Sequence, residues 1–202
     1  MRGWLLAATL LGLGSACDRA VPPAVPTVAF KATDITGAPW GKDFRLTDHQ
    51  GRQRTLADFR GRLVAIFFGY THCPDVCPTT LSDFAMALRE LGDDGKRVQV
   101  LFVTVDPERD TQELLARYVP SFNPDFLGLY TDPVSLATLA KDFKVVYQKN
   151  TPPSSKTYLI DHSAGTYVYD ASGQLRLLIP YGAGPQDIAH DLRLLLEKAP
   201  KT

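Results

Sequence analysis

Two apolar runs with a helical pattern between them constrain the fold of this chain more than any other feature. "RLVAIFFGY" (62–70) and "VQVLFVTVD" (98–106) are short, continuous and rich in Val, Ile and Phe, the signature of strands covered on both faces. Between them, "PTTLSDFAMALRELGDDG" sets Leu81, Phe84, Ala85, Leu88 and Leu91 at helical spacing and brings Gly92 near its end. Strand, helix and strand make a βαβ unit, so the two strands should be parallel and the crossover right-handed. With 202 residues, 45% of them hydrophobic, the chain can bury a core as one domain.

The flanking sequence extends the pattern. "DFRLTDHQGRQRTLADFRG" reads as a hairpin turning at Asp48 to Gly51. Asp110 opens a capping-box-like start for "TQELLARYV", and Asp132-Pro133 offers an N-cap with proline in the first turn of "PVSLATLAKDF". "FLGLY" between them is a short strand, "AGTYVYDASGQLRLLIPYG" a hairpin turning at Ala171 to Gly173, and "GPQDIAHDLRLLLEK" an amphipathic closing helix. A βαβ half followed by a ββα half is the thioredoxin layout. The expected class is therefore α/β, thioredoxin-like, with an N-terminal hairpin extension and a central mixed sheet flanked by helices.

The amino terminus stands apart. "GWLLAATLLGLGSAC" is too short to span a bilayer but has the length of a signal-peptide core. Gly14, Ser15 and Ala16 lead into Cys17 in a pattern that resembles a bacterial lipobox, with Gly14 where Leu is usual. A plain secretory signal, or an uncleaved anchor, is the alternative. "RAVPPAVPTVAF" then reads as a stiff tether. The expected division is a signal peptide over 1–16, lipid attachment and tether over 17–42, and a folded domain over 43–202. Lys+Arg equals Asp+Glu at 22 each, which offers no field for nucleic acid.

If Cys17 carries lipid, Cys73 and Cys77 in "FFGYTHCPDVCPTTL" are left as a pair in an oxidising compartment. A structural disulfide, a redox switch and two arms of a metal site are all open at this spacing. The pair sits where a buried strand meets a helix N-terminus, which favours thiolates. Pro78 should make Cys77 the N-cap. An inert staple would not need that placement.

Four histidines could add a ligand. His49, in a turn, and His190, beside Asp187 and Asp191, read as solvated. His72 adjoins Cys73 and should point elsewhere. His162 precedes the hairpin strand that a thioredoxin fold sets beside the cysteine loop, although an ordinary turn histidine would read the same. Two thiolates and one imidazole suit three-coordinate Cu(I) better than structural zinc.

"FFGYTHCPDVCPTTL", "VTVDPERDT", "FLGLYTD" and "LIDHSAGTYVYD", in this order, resemble the Sco (SenC/PrrC) family over about residues 43 to 198. The resemblance implies a membrane-tethered thioredoxin-fold copper chaperone that helps build the dinuclear copper A centre of cytochrome c oxidase. It implies Cys73, Cys77 and His162 as ligands of a copper ion, Cu(I) and also Cu(II), with Asp161 orienting the histidine. The implied partners are cytochrome c oxidase subunit II and another periplasmic copper chaperone or a thioredoxin-like reductant. The implied place is the periplasmic side of a bacterial inner membrane, with Cys17 as lipid anchor where many relatives have a transmembrane helix. A thiol-disulfide reductase for the oxidase's ligand cysteines, and a redox or copper sensor, are the alternatives. "DHSAGTYVY" lacks the proline that thioredoxins carry there, which counts against general disulfide reduction. Asp106 and Asp110 in "VDPERDT" read as structural, and the four-lysine segment "KDFKVVYQKNTPPSSKTY" as a solvated loop or a face for an acidic partner.

Overall fold

The computed structural model describes residues 29–151 and 157–197. The strands, in chain order, are β1 (Thr33–Asp34), β2 (Arg45–Asp48), β3 (Gln53–Thr55), β4 (Leu63–Gly69), β5 (Val98–Thr104), β6 (Leu127–Tyr130), β7 (Tyr147–Asn150), β8 (Leu159–His162), β9 (Thr166–Tyr169) and β10 (Leu175–Ile179). The helices are α1 (Val76–Leu91), α2 (Gln112–Tyr118), α3 (Pro133–Asp142) and α4 (Gly184–Glu197). Eight strands form one mixed sheet in the order β1-β10-β9-β4-β5-β6-β2-β3, and β7 and β8 form a separate ribbon. This is the expected thioredoxin-like arrangement.

The centre of the sheet follows directly from the apolar runs. All seven residues of β4 and all seven of β5 are buried, and the strands pair in parallel from Leu63 opposite Val98 to Gly69 opposite Thr104. Helix α1 presents Leu81, Phe84, Ala85 and Leu88 to the core at i, i+3, i+4 and i+7 and packs against α4. Phe84 is 1% exposed, so its truncation to alanine should cost about 3–5 kcal/mol. The helix stops at Gly92, whose φ of 61° suits glycine.

Several expectations are corrected. The fold reaches back past the expected boundary at residue 43, because β1 pairs with β10 and the Lys31 and Ala32 amides donate to Asp191. Cys77 is not the N-cap: Asp75 is, and Cys77 lies within the first turn of α1. Pro78 is tolerated there because the first amides of a helix have no partner within it. Thr111, not Asp110, caps α2, its side chain accepting from the Leu114 amide. His49 is 8% exposed, with Nδ1 accepting from the Gly128 amide at 3.0 Å. His190 is half-buried, its Nδ1 2.8 Å from Asp191. Cys17 lies outside the described residues.

Candidate metal centre

Strand β4 delivers the chain to Tyr70, where a tight loop begins; the Cys73 amide donates to the Tyr70 carbonyl at 3.3 Å. Thr71 is fixed in that loop by the buried Asp110, whose carboxylate accepts from the Thr71 amide (3.0 Å) and hydroxyl (2.6 Å). Cys73 is half-buried and Cys77 is 0% exposed, and both thiols are free. The Cys77 amide points at Cys73 Sγ from 3.5 Å.

From the other side, β8 brings His162 to the pair, with Nε2 3.4 Å from Cys77 Sγ. The ligand atoms of Cys73, Cys77 and His162 all lie within 4.8 Å of one another. Because a carbonyl can only accept, the 3.0 Å contact between His162 Nδ1 and the Ser163 oxygen makes Nδ1 the protonated nitrogen. In the neutral ring, Nε2 then carries the free lone pair and faces the thiols. Phe67 and Tyr70 meet the imidazole edge-on, with centroids at 5.9 and 5.8 Å.

The two thiols are driven apart in acidity. Cys73 is pulled down to about 4, first by the hydrogen bond from the Cys77 thiol, with burial opposing, and then by the Asp75 and Cys77 amides. Cys77 is pushed up by the same pairing with Cys73 and by burial. One thiolate and one thiol therefore share a site beside a helix N-terminus. A soft cation that takes both sulfurs would displace the remaining proton, and the set of two sulfurs and one imidazole nitrogen fits such an ion.

The structure brings together Cys73, Cys77 and His162 and leaves two neighbours out. His72 is turned toward Thr71 Oγ1 (3.0 Å) and Asp110 (3.7 Å). Asp161 does not orient the imidazole; its carboxylate is exposed and meets the Asn150 amide at 3.5 Å. Successive side chains of a strand point to opposite faces, so Asp161 turns out as His162 turns in. The orienting contact comes from Ser163 instead.

Two residues of the site escaped the sequence reading. A Cβ at Gly69 would stand 2.8 Å from Cys77 Sγ, 2.8 Å from Phe67 and 2.9 Å from Phe102, so only glycine admits the thiol to this depth. A glycine ending an otherwise bulky buried strand was the available signal. Asp110 sits in a motif that stood out in sequence, yet its hold on Thr71 spans 39 residues and leaves no local trace.

Among the described residues no helix is long and apolar enough to cross a membrane. The SCO1/SenC family model matches residues 32–197. The mitochondrial SCO2 homolog of Bos taurus is 43% identical over 133 residues, 65% of this chain and 50% of that protein. Protein sco1 of Schizosaccharomyces pombe is 32% identical over 189 residues, 92% of this chain and 72% of that protein. The chain spans about half the length of the mitochondrial SCO2 relatives it matches. The solved structure of copper-bound ScoI from Bradyrhizobium japonicum superposes with a TM-score of 0.68 at 38% identity, covering 76% of this chain and 97% of that one. Apo Sco1 from Thermus thermophilus gives 0.72 at 40% identity, covering 83% and 97%. With the family pattern running from the first strand through the last helix, the chain belongs to the SCO1/SenC family.

Proposed function

We propose that this chain is a copper-binding metallochaperone that helps assemble the dinuclear copper A centre of cytochrome c oxidase, with copper as its cargo and Cys73, Cys77 and His162 as the ligands. The observation that carries this reading is the convergence of the ligand atoms of Cys73, Cys77 and His162 within 4.8 Å, with Nε2 3.4 Å from Cys77 Sγ. Two sulfurs and one nitrogen suit Cu(I), and the half-buried position of Cys73 leaves a side from which an acceptor's thiols can enter. The cycle would be capture, docking on oxidase subunit II and ligand exchange. An external oxidant that took two electrons and two protons from the pair to form a Cys73–Cys77 disulfide would remove both sulfur ligands and block copper binding. The copper-bound ScoI structure supports the reading by kinship.

The test is titration of the reduced chain with Cu(I) against a chromogenic chelator. One copper per chain is expected, and Cys73→Ser or Cys77→Ser should each abolish most of it. Full retention by either variant would place the ligands elsewhere.

A thiol-disulfide reductase is the second reading, favoured by the low-lying Cys73 thiol beside a partner that could resolve a mixed disulfide. His162→Ala separates the two. A carrier loses a ligand and about 10- to 100-fold or more in affinity, with a Cys73–Cys77 disulfide equilibrium close to that of the unsubstituted chain. A reductase loses little in cells. Normal oxidase assembly by His162→Ala at limiting copper, with failure of Cys73→Ser, would favour the reductase.

The domain plan proposed with this function is a signal peptide over 1–16, lipid on Cys17 and a tether leading to the thioredoxin-like domain, held on the periplasmic side of a bacterial inner membrane. Intact mass of membrane-extracted protein checks it. A mature chain starting elsewhere, or an unmodified Cys17, would refute the anchor.

A further inference from the structure

Strand β8 carries His162 but belongs to a two-stranded ribbon outside the main sheet. Such a ribbon is marginal by itself in water. Side chains must therefore set where the histidine stands, and the segment between β5 and α2 supplies them. Asp106 is 0% exposed and accepts from the Tyr158 hydroxyl at 2.7 Å and from Arg109 Nε. Arg109 Nη1 donates to the Tyr158 carbonyl at 3.0 Å, and its guanidinium lies 3.6 Å over the Tyr158 ring and 5.8 Å from that of Tyr70. Tyr70 in turn accepts from the Ile160 amide at 3.1 Å and packs edge-on against His162. Tyr158 and Ile160 are the residues that lead the chain into His162.

The same short segment grips the thiol loop. Asp110 accepts from Thr71 and from the Thr104 hydroxyl (2.6 Å), while its own amide donates to the Asp106 carbonyl at 2.9 Å. Both grips thus rest on one hydrogen-bonded turn at the end of β5.

We propose that Asp106 to Asp110 form a two-armed clamp that sets the approach of His162 to Cys73 and Cys77, with Arg109 as the positioning residue of the histidine arm and Asp110 that of the thiol arm. The proposal rests on the copper-site reading above. It goes beyond that reading by assigning the ligand geometry to a segment that supplies no ligand of the cluster. Arginine suits the arm because its planar fork can bond Asp106 and the Tyr158 carbonyl while stacking on the ring.

The histidine arm can be perturbed apart from the thiol arm. Arg109→Ala frees the histidine and leaves the thiols in place, so Cu(I) affinity of the reduced chain, read against bicinchoninate, should fall about 10-fold. The same substitution added to His162→Ala should change affinity by less than about twofold, because the group it positions is gone. The Cys73–Cys77 equilibrium with glutathione should likewise move by less than about twofold in Arg109→Ala. In the metal-free chain, hydrogen exchange of the Ile160 amide should quicken while the amides of β4 and β5 keep their protection.

Equal losses from Arg109→Ala with and without His162 would make Arg109 a general stabiliser and overturn the clamp. So would unchanged affinity, or unchanged Ile160 exchange. Should Arg109→Ala fail to fold, Tyr158→Phe removes only the hydroxyl on Asp106; it should lower affinity in the same direction and only when His162 is present. Absence of Cu(I) binding by the unsubstituted chain would refute the copper reading instead, and the metal-free exchange experiment would still decide the clamp.

Discussion

Cys77 Sγ lies 3.4 Å from His162 Nε2, although 85 residues of chain separate them. One group sits in the first turn of α1 and the other at the end of a ribbon that leaves the main sheet. Nothing local holds them together; the packing of β4 beside β9 and the clamp at the end of β5 do. A ligand set of this kind exists only in the folded chain, so metal affinity and fold stability are one linked quantity.

Copper should therefore stabilise the fold measurably. At free Cu(I) about 100 times the dissociation constant, the gain is about 2.7 kcal/mol. For a chain of this size that raises the melting temperature by roughly 5–10 °C. Calorimetry of the reduced chain with and without buffered Cu(I) checks it, and the shift should vanish in Cys73→Ser/Cys77→Ser.

The thiols should differ in reactivity toward alkylation. Cys73 is half-buried and held as thiolate by its neighbours, whereas Cys77 is 0% exposed with its proton retained. Iodoacetamide on the native, reduced, metal-free chain should label Cys73 first and Cys77 only after unfolding. Peptide mapping gives the order, and prior labelling of Cys77 would contradict the geometry.

Gly69→Ala is expected to damage both stability and the site. The added Cβ would come within 2.9 Å or less of Cys77 Sγ, Phe67 and Phe102, and two of those three are aromatic rings in the packed core. Overpacking of this kind costs about 1–3 kcal/mol. Cys77 Sγ is one of the three atoms that must give way, so a metal ligand is displaced and Cu(I) affinity should drop along with the melting temperature. A stable variant with unchanged affinity would show that the close approach is not required.

The parts of this architecture readable in sequence are those built from local pattern. The runs 63–69 and 98–104 announce buried strands, and the spacing Leu81, Phe84, Leu88 announces the helix between them. Cys73 and Cys77 could be placed because they lie at that junction. His162 could be placed only through topology and family resemblance, since a four-residue strand in a detached ribbon has little pattern of its own. What stayed hidden depended on distant partners. Asp110 looks like a helix cap until Thr71 and Thr104 are seen on its carboxylate. Asp161 looks like a partner for its neighbour until strand alternation turns it outward. His49 falls in a turn, where polar residues are usually wet, and is buried because β6 passes beside it.

His49 should also impose a pH dependence on stability. Its Nδ1 accepts from the Gly128 amide, so the folded state needs the neutral ring with that nitrogen unprotonated. Burial pushes its pKa below the ordinary 6.5; among the charges facing it, Asp48 pulls it up and Arg52 pushes it down. The unfolded chain therefore binds a proton that the folded chain resists. The stabilisation is complete above pH 6.5 and is lost as pH falls through that value toward the lower folded pKa. At neutral pH, His49→Ala leaves the Gly128 amide without this acceptor and should cost about 1–3 kcal/mol. Denaturant melts at pH 7.5 and at successively lower pH should show the difference between the two chains shrinking below pH 6.5. Parallel profiles across that range would assign the pH dependence to other groups.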